Sequence, residues 1–119
     1  MALTLSLDKT SVQTNETVTA TVSWDYSLLG DSVLDLWVAW GDGTTSHYPT
    51  LIPLSGTWSV AHQFANAGTY NVQAFADVLL FDGSVLNDSS SIVTVTVSAP
   101  AAVTLIVISP SVWSQIPLM

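Results

Sequence analysis

From Thr17 to Trp24 the chain alternates without a break. Val18, Ala20, Val22 and Trp24 are apolar, while Thr17, Thr19, Thr21 and Ser23 between them are polar. Successive side chains of a strand point to opposite faces, so this period of two describes a strand with one face buried and one wet. The same rhythm aligns Leu3, Leu5 and Leu7, then Leu34, Leu36, Val38 and Trp40, then Trp58, Val60, His62 and Phe64. Tyr70, Val72, Ala74 and Ala76 make a further row, and Val93, Val95 and Val97 the last. The stretches DKTSVQTNE (8–16) and DYSLLGDS (25–32) interrupt the pattern with turn formers. No segment sustains a period of 3.6, so almost no helix is expected. The chain reads as an all-β, antiparallel sandwich in which each strand gives one apolar row to the core.

At 119 residues, one domain can bury a core without a covalent staple. There is no Cys, which removes disulfides and thiolate metal sites from consideration. Lys9 is the sole basic residue against nine acids, for a formal net charge of −8. Nucleic-acid binding requires cations to displace counterions from phosphates, and one Lys cannot supply them. Anionic membrane surfaces are excluded on the same ground. Charged residues make up 8% of the chain, against about 25% in an ordinary soluble domain. Such a surface is coated with Ser, Thr, Asn and Gln, or covered by neighbouring subunits or glycan. The opening MALTLSLDKTS lacks the basic region and unbroken apolar core of an export signal. Either the chain is kept in a cytoplasm or its signal has been left off, and assembly without secretion is the favoured expectation. No apolar run approaches the ~20 residues of a membrane span.

Two stretches carry a family resemblance. VAWGDGTT (38–45) resembles the WDFGDGT signature of PKD (polycystic kidney disease) domains. HQFANAGTYNVQAFA (62–76) is similar to their H-x-Y-x-x-x-G-x-Y-x-V motif, with His62, Phe64, Gly68, Tyr70 and Val72 at matching positions. The opening LTLSLDKTSVQTNETVTATVS resembles the start of bacterial Ig-like domains, and the likeness covers about Leu3 to Ser98. It implies an Ig-like (PKD-type) antiparallel β-sandwich over residues 1–98. The chain departs from the signature at Val38, Ala39 and Trp40, and the connection between the motifs is long. Ala39 stands where the family often has Asp, which removes a candidate Ca²⁺ ligand.

In that fold Gly41-Asp42-Gly43 is a hairpin bend: the glycines accept positive φ and the Asp42 carboxylate accepts N–H bonds from the turn. A catalytic Asp42 would need a nearby base, and the neighbouring sequence offers only His47, read as an exposed loop residue. His62 is read as a buried strand residue whose ring bonds to the backbone. Tyr70 sits as a tyrosine-corner residue, its hydroxyl on a turn backbone. Phe81 to Ser84 reads as a second hairpin tip whose apolar flanks either extend the hairpin or form a sticky edge. Trp37 points away from the Leu36, Val38 and Trp40 face, and two readings stand for it: covered by a loop, or part of a contact surface. Asn15 and Asn87 fit the N-x-S/T acceptor pattern in expected loops, where surface glycan is possible.

Residues 99–119 follow the sandwich as a hydrophobic C-terminal arm or extra strand. Val103, Leu105, Ile106, Val107 and Ile108 form a nearly unbroken apolar run, followed by Trp113 and Ile116. Burying that run gains roughly 8–15 kcal/mol, and ordering seven residues costs about 7–14 kcal/mol. The arm therefore gains only if its backbone also pairs, on its own sheet or on a neighbouring subunit. No cofactor motif, metal set or catalytic set is readable, and no enzymatic role is expected. The leading expectation is a structural protein of a surface assembly: a phage virion decoration or tail protein, with copies of itself or capsid, tail or fibre subunits as partners. The alternatives are a secreted, extracellular filament subunit linked by strand donation, and a carbohydrate- or protein-binding cell-surface domain using Trp37, His47, Tyr48 and Trp58.

Overall fold

The computed structural model describes residues 2–100. The strands are β1 (Leu3–Leu7), β2 (Ser11–Gln13), β3 (Thr17–Asp25), β4 (Gly30–Ala39), β5 (Thr45–His47), β6 (Ser55–Gln63), β7 (Gly68–Leu80), β8 (Val85–Ser89) and β9 (Val93–Ser98). Among the described residues there is no helix. One sheet runs β1-β3-β6 and the other β2-β9-β7-β4-β5, with β8 also paired to β7.

The long β7 is the axis of the larger sheet. Its first half, Gly68 to Val72, pairs with β9, and its second half, Phe75 to Leu79, pairs with β8. Its other edge pairs with β4. The alternating rows meet between the sheets: Val18, Ala20 and Val22 from β3 are buried in one cluster with Leu36, Val38 and Trp40. Fully burying a Val or Leu stabilises by about 1.5–3 kcal/mol, so these rows fix which face of each strand is inside. A one-residue slip would turn every one of them to water.

Three details depart from the alternation. Val12, within the expected turn, is buried on β2, which pairs parallel to β9 in an otherwise antiparallel fold. Leu34, expected inward, is 54% exposed. The register shifts between Val33 and Asp35, so Val33 takes the inward position and the bulge turns Leu34 out. Asn87, expected in a loop, lies on β8. The hairpin readings hold: Gly41 and Gly43 have φ of 84° and 91° between β4 and β5, and Gly83 has φ of 89° between β7 and β8. The β7–β8 pairing runs to Leu79 and Val85, so the apolar flanks extend the hairpin.

Candidate functional site

Trp37 lies on the outer face of the larger sheet, opposite His47 on β5 and Phe75 on β7. Because β4 lies between those strands, the three rings form a ladder. The Trp37 centroid is 5.6 Å from His47 and 5.5 Å from Phe75, at interplanar angles of 21° and 20°. Offset stacks of this kind suit aromatic pairs, and they cover both faces of the indole. His47 Nδ1 is 3.1 Å from Asp35 Oδ1, and Asn87 Nδ2 donates to Asp77 Oδ1 at 2.7 Å one row further along. Trp37 is therefore half-buried by neighbouring strands rather than by a loop.

Tyr48 and Trp58 do not join this ladder. Tyr48 packs edge-on against Trp24 and Trp58, at 5.7 Å and 5.5 Å. Trp24 in turn donates its indole N–H to the Pro53 carbonyl at 2.9 Å. The grouping of Trp37 and His47 with Tyr48 and Trp58 is thus not made: two residues sit on the outer face, and two help close the sandwich. A sugar ring stacking by its C–H face needs an open aromatic face, and the Trp37 ring is stacked against His47 and Phe75.

The second polar cluster spans the sheets. His62 Nε2 is 2.7 Å from Asp42 Oδ2, and both side chains are 18% exposed. The His62 ring stacks on Trp40 at 4.6 Å and meets Phe64 edge-on at 4.8 Å. Asp42 also accepts from the Thr44 N–H at 3.0 Å and from the Thr44 hydroxyl. Burial pushes the Asp42 carboxyl up, but the Thr44 hydroxyl, His62 and the Thr44 N–H outweigh it and hold the group below its ordinary value. Two expectations are corrected here. The His62 ring bonds to a carboxylate rather than to backbone, and the histidine beside Asp42 is His62, not His47. His47 lies on the edge strand β5 rather than in a loop. An Asp–His pair resembles part of a catalytic set, yet Nε2 is committed to Asp42 and both ring contacts are aromatic. Its geometry is that of a tie between the sheets.

Other acids are engaged in the same way. Asp25 and Asp82 each accept the N–H and hydroxyl of Ser27 and Ser84, two residues on. These bonds lower both carboxyls from their ordinary value. Asp8 takes the Thr19 N–H, and Glu16 takes the Gln13 N–H and Lys9. Asp88 accepts the hydroxyl of the buried Tyr26 at 2.7 Å. Burial, then the Asp88 contact, pushes that phenol well above the ordinary tyrosine range. Tyr26 went unread in the sequence because it falls in an interrupting stretch. The repeated D-x-S/T spacing at 25, 42 and 82 is the signal that marks the turns. The Tyr70 hydroxyl donates to the Asn66 carbonyl at 2.7 Å, as a tyrosine corner requires.

Asn15 sits exposed in a turn with φ of 63°, whereas the Asn87 amide is held by Asp77. Val103, Leu105, Ile106, Val107, Ile108, Trp113 and Ile116 lie outside the described residues. Among the described residues no pocket and no cluster of three or more potential metal ligands is present, and no helix is long and apolar enough to cross a membrane.

No protein-family model matches the sequence, and no curated protein does. Solved structures match the fold. The PKD domain of an M14-like peptidase from Thermoplasmatales archaeon SCGC AB-540-F20 is 22% identical, with a TM-score of 0.59. That match covers 82% of this chain and 92% of the other. The PKD domain of the human VPS10 domain-containing receptor SorCS2 is 20% identical, with a TM-score of 0.56 over 86% of this chain and 76% of the other. At these identities the likeness establishes the architecture: this chain has a PKD-like Ig fold.

Proposed function

We propose that the chain is a non-enzymatic structural subunit of a surface assembly, self-associating through the apolar segment after Ser98. One observation carries this reading. Asp8, Glu16, Asp25, Asp35, Asp42, Asp77, Asp82 and Asp88 are engaged in hydrogen bonds that shape turns, bridge strands or tie sheets. That is eight of the nine acids in the chain, and both histidines are bonded to two of them. Catalytic acids and bases must reach a substrate, and these are already engaged by the chain's own donors. Among the described residues, the buried rows from Leu3 to Val97 already form a core. The apolar run Val103–Ile108 lies outside the described residues, and its uncharged sequence is what the self-association is assigned to. A virion surface is the setting we favour, as a decoration or tail protein, because a chain with 8% charged residues suits a surface covered by neighbouring subunits.

The test compares the full chain with one ending at Ala99, by size-exclusion chromatography with light scattering and by circular dichroism. The full chain should form oligomers and the shorter chain a folded monomer. A monomeric full chain overturns the reading. Unfolding of the shorter chain overturns it too, by making the segment part of the domain's own core.

A further inference from the structure

The larger sheet has an edge that is unusually open to another strand. β8 pairs with β7, and its five-residue register, Phe75↔Ser89 to Leu79↔Val85, has no shift. Among the described residues nothing pairs with its other side. It carries no Lys, no Pro and no bulge, and its one charged residue, Asp88, is bonded to the Tyr26 hydroxyl. The Leu80 N–H donates to Ser84 and the Ser90 N–H to the Ala74 carbonyl. Antiparallel ladders alternate, so Leu86 and Asp88 also address β7, while the N–H groups of Val85, Asn87 and Ser89 point away. Asp88 takes that of Ser89, which leaves two donors directed at the open side. Of the large apolar side chains described as exposed, only Leu34 and Val85 lie on strands, and Leu34 belongs to a bulge. Exposed Phe81 precedes β8 and exposed Ile92 follows it.

We infer that this edge receives residues Val103–Ile108 of a second copy of the chain, added as a further strand. The inference rests on the self-association proposed above and names its acceptor. The six-residue run matches the five-residue edge in length, and residues 99–119 contain no charged side chain. That neutrality suits contact between copies that each carry −8. Reach keeps a copy's run from lying along its own β8. Ser98 pairs with Gln13, and β8 lies alongside the far end of β7, roughly 26–40 Å away at ~3.3 Å per residue. Even fully extended, Val103 to Ile108 stand only about 17–34 Å from Ser98, and β2 already occupies the edge they would first meet. At most the last residues of a copy's own run reach the near end of its β8, so that run cannot lie along the edge, whereas a neighbour's can. The resulting contact is head-to-tail, with main-chain bonds supplying affinity and Phe81, Val85 and Ile92 supplying apolar contact.

The test uses full chains with one partner surface altered in each. Val85→Lys places a charge on the acceptor edge and Ile106→Asp places one in the donor. Each alone should be monomeric, with association weakened by at least about tenfold, the scale of an unpaired charge in a dry interface. Their circular dichroism should be unchanged. Mixed one to one, they should form a dimer and nothing larger, because one intact donor meets one intact acceptor. Because the chain has no Cys, Val85→Cys mixed with Ile106→Cys under added oxidant should give a disulfide linking the two substituted positions of different copies. Wild-type oligomers that survive V85K, a mixture that stays monomeric, or no such cross-link overturns the acceptor assignment while leaving self-association intact. A monomeric wild type overturns both.

Discussion

Asp42 loses most of its water on folding and replaces it with the Thr44 N–H, the Thr44 hydroxyl and the His62 ring. Removing the carboxylate strands those donors, so Asp42→Ala should cost about 1–3 kcal/mol. His62→Phe keeps a ring against Trp40 but leaves Asp42 without its cross-sheet partner. It should lower the melting temperature while the β-sheet spectrum remains. The pH dependence follows from the lowered Asp42 carboxyl. Ionisation is favoured in the folded state, so the contribution is complete above the unfolded value near ~3.9 and is lost as pH falls through the lower folded value. The gap in melting temperature between wild type and Asp42→Asn should therefore narrow below about pH 4. A gap that persists unchanged into acid would show that charge is not what Asp42 contributes. The turn role of Asp42 was legible in Gly-Asp-Gly-Thr, because that chemistry is local. Its bond to His62 was not: the two lie 20 residues apart, on different sheets, and only the closed sandwich brings them together.

The two glycines of the same hairpin separate conformational cost from crowding. Both have positive φ, but a Cβ on Gly41 would lie 2.7 Å from the Asn71 carbonyl oxygen, while one on Gly43 meets nothing within 4 Å. Gly43→Ala should cost about 1–2 kcal/mol for the left-handed backbone alone. Gly41→Ala must in addition push two strands apart and should cost several times more, read by urea denaturation. Equal costs would mean that Asn71 moves freely. At the break between β8 and β9, the buried Ser90 hydroxyl accepts the Ala74 N–H at 2.9 Å. Ser90→Ala should cost about 1–3 kcal/mol by orphaning that donor. At this scale the sequence reveals rows but not edges. The inward rows of β3, β6 and β7 were legible because burial enforces a period of two. Val12 and Leu34 were misread because a three-residue strand is too short to show a period, and a bulge shifts the phase by one. The ladder of His47, Trp37 and Phe75 depends on register across three strands, which no single segment encodes.

The charge of the whole molecule decides how copies can meet. Each carries −8, and Lys9, the only Lys or Arg in the chain, is already 3.2 Å from Glu16 in an exposed pair. An interface built on Lys or Arg ion pairs between copies is therefore unavailable to this sequence, and long-range forces between copies are repulsive. Salt should act accordingly. The screening length falls from about 30 Å at 0.01 M to about 8 Å at 0.15 M, so repulsion across a domain-sized gap is strong at the first and slight at the second. An interface of uncharged strands and apolar side chains loses nothing to screening. The weight-average mass of the full chain in sedimentation velocity should therefore rise across that range. It should rise further in sulfate, which strengthens apolar burial. A mass that falls with added salt would mean that opposite charges hold the copies together, and an uncharged strand on the β8 edge would then be the wrong contact. A mass that rises, but rises equally for Ile106→Asp, would place the contact elsewhere on the domain, because the substituted copy carries one more negative charge at the junction and should resist association even when screened.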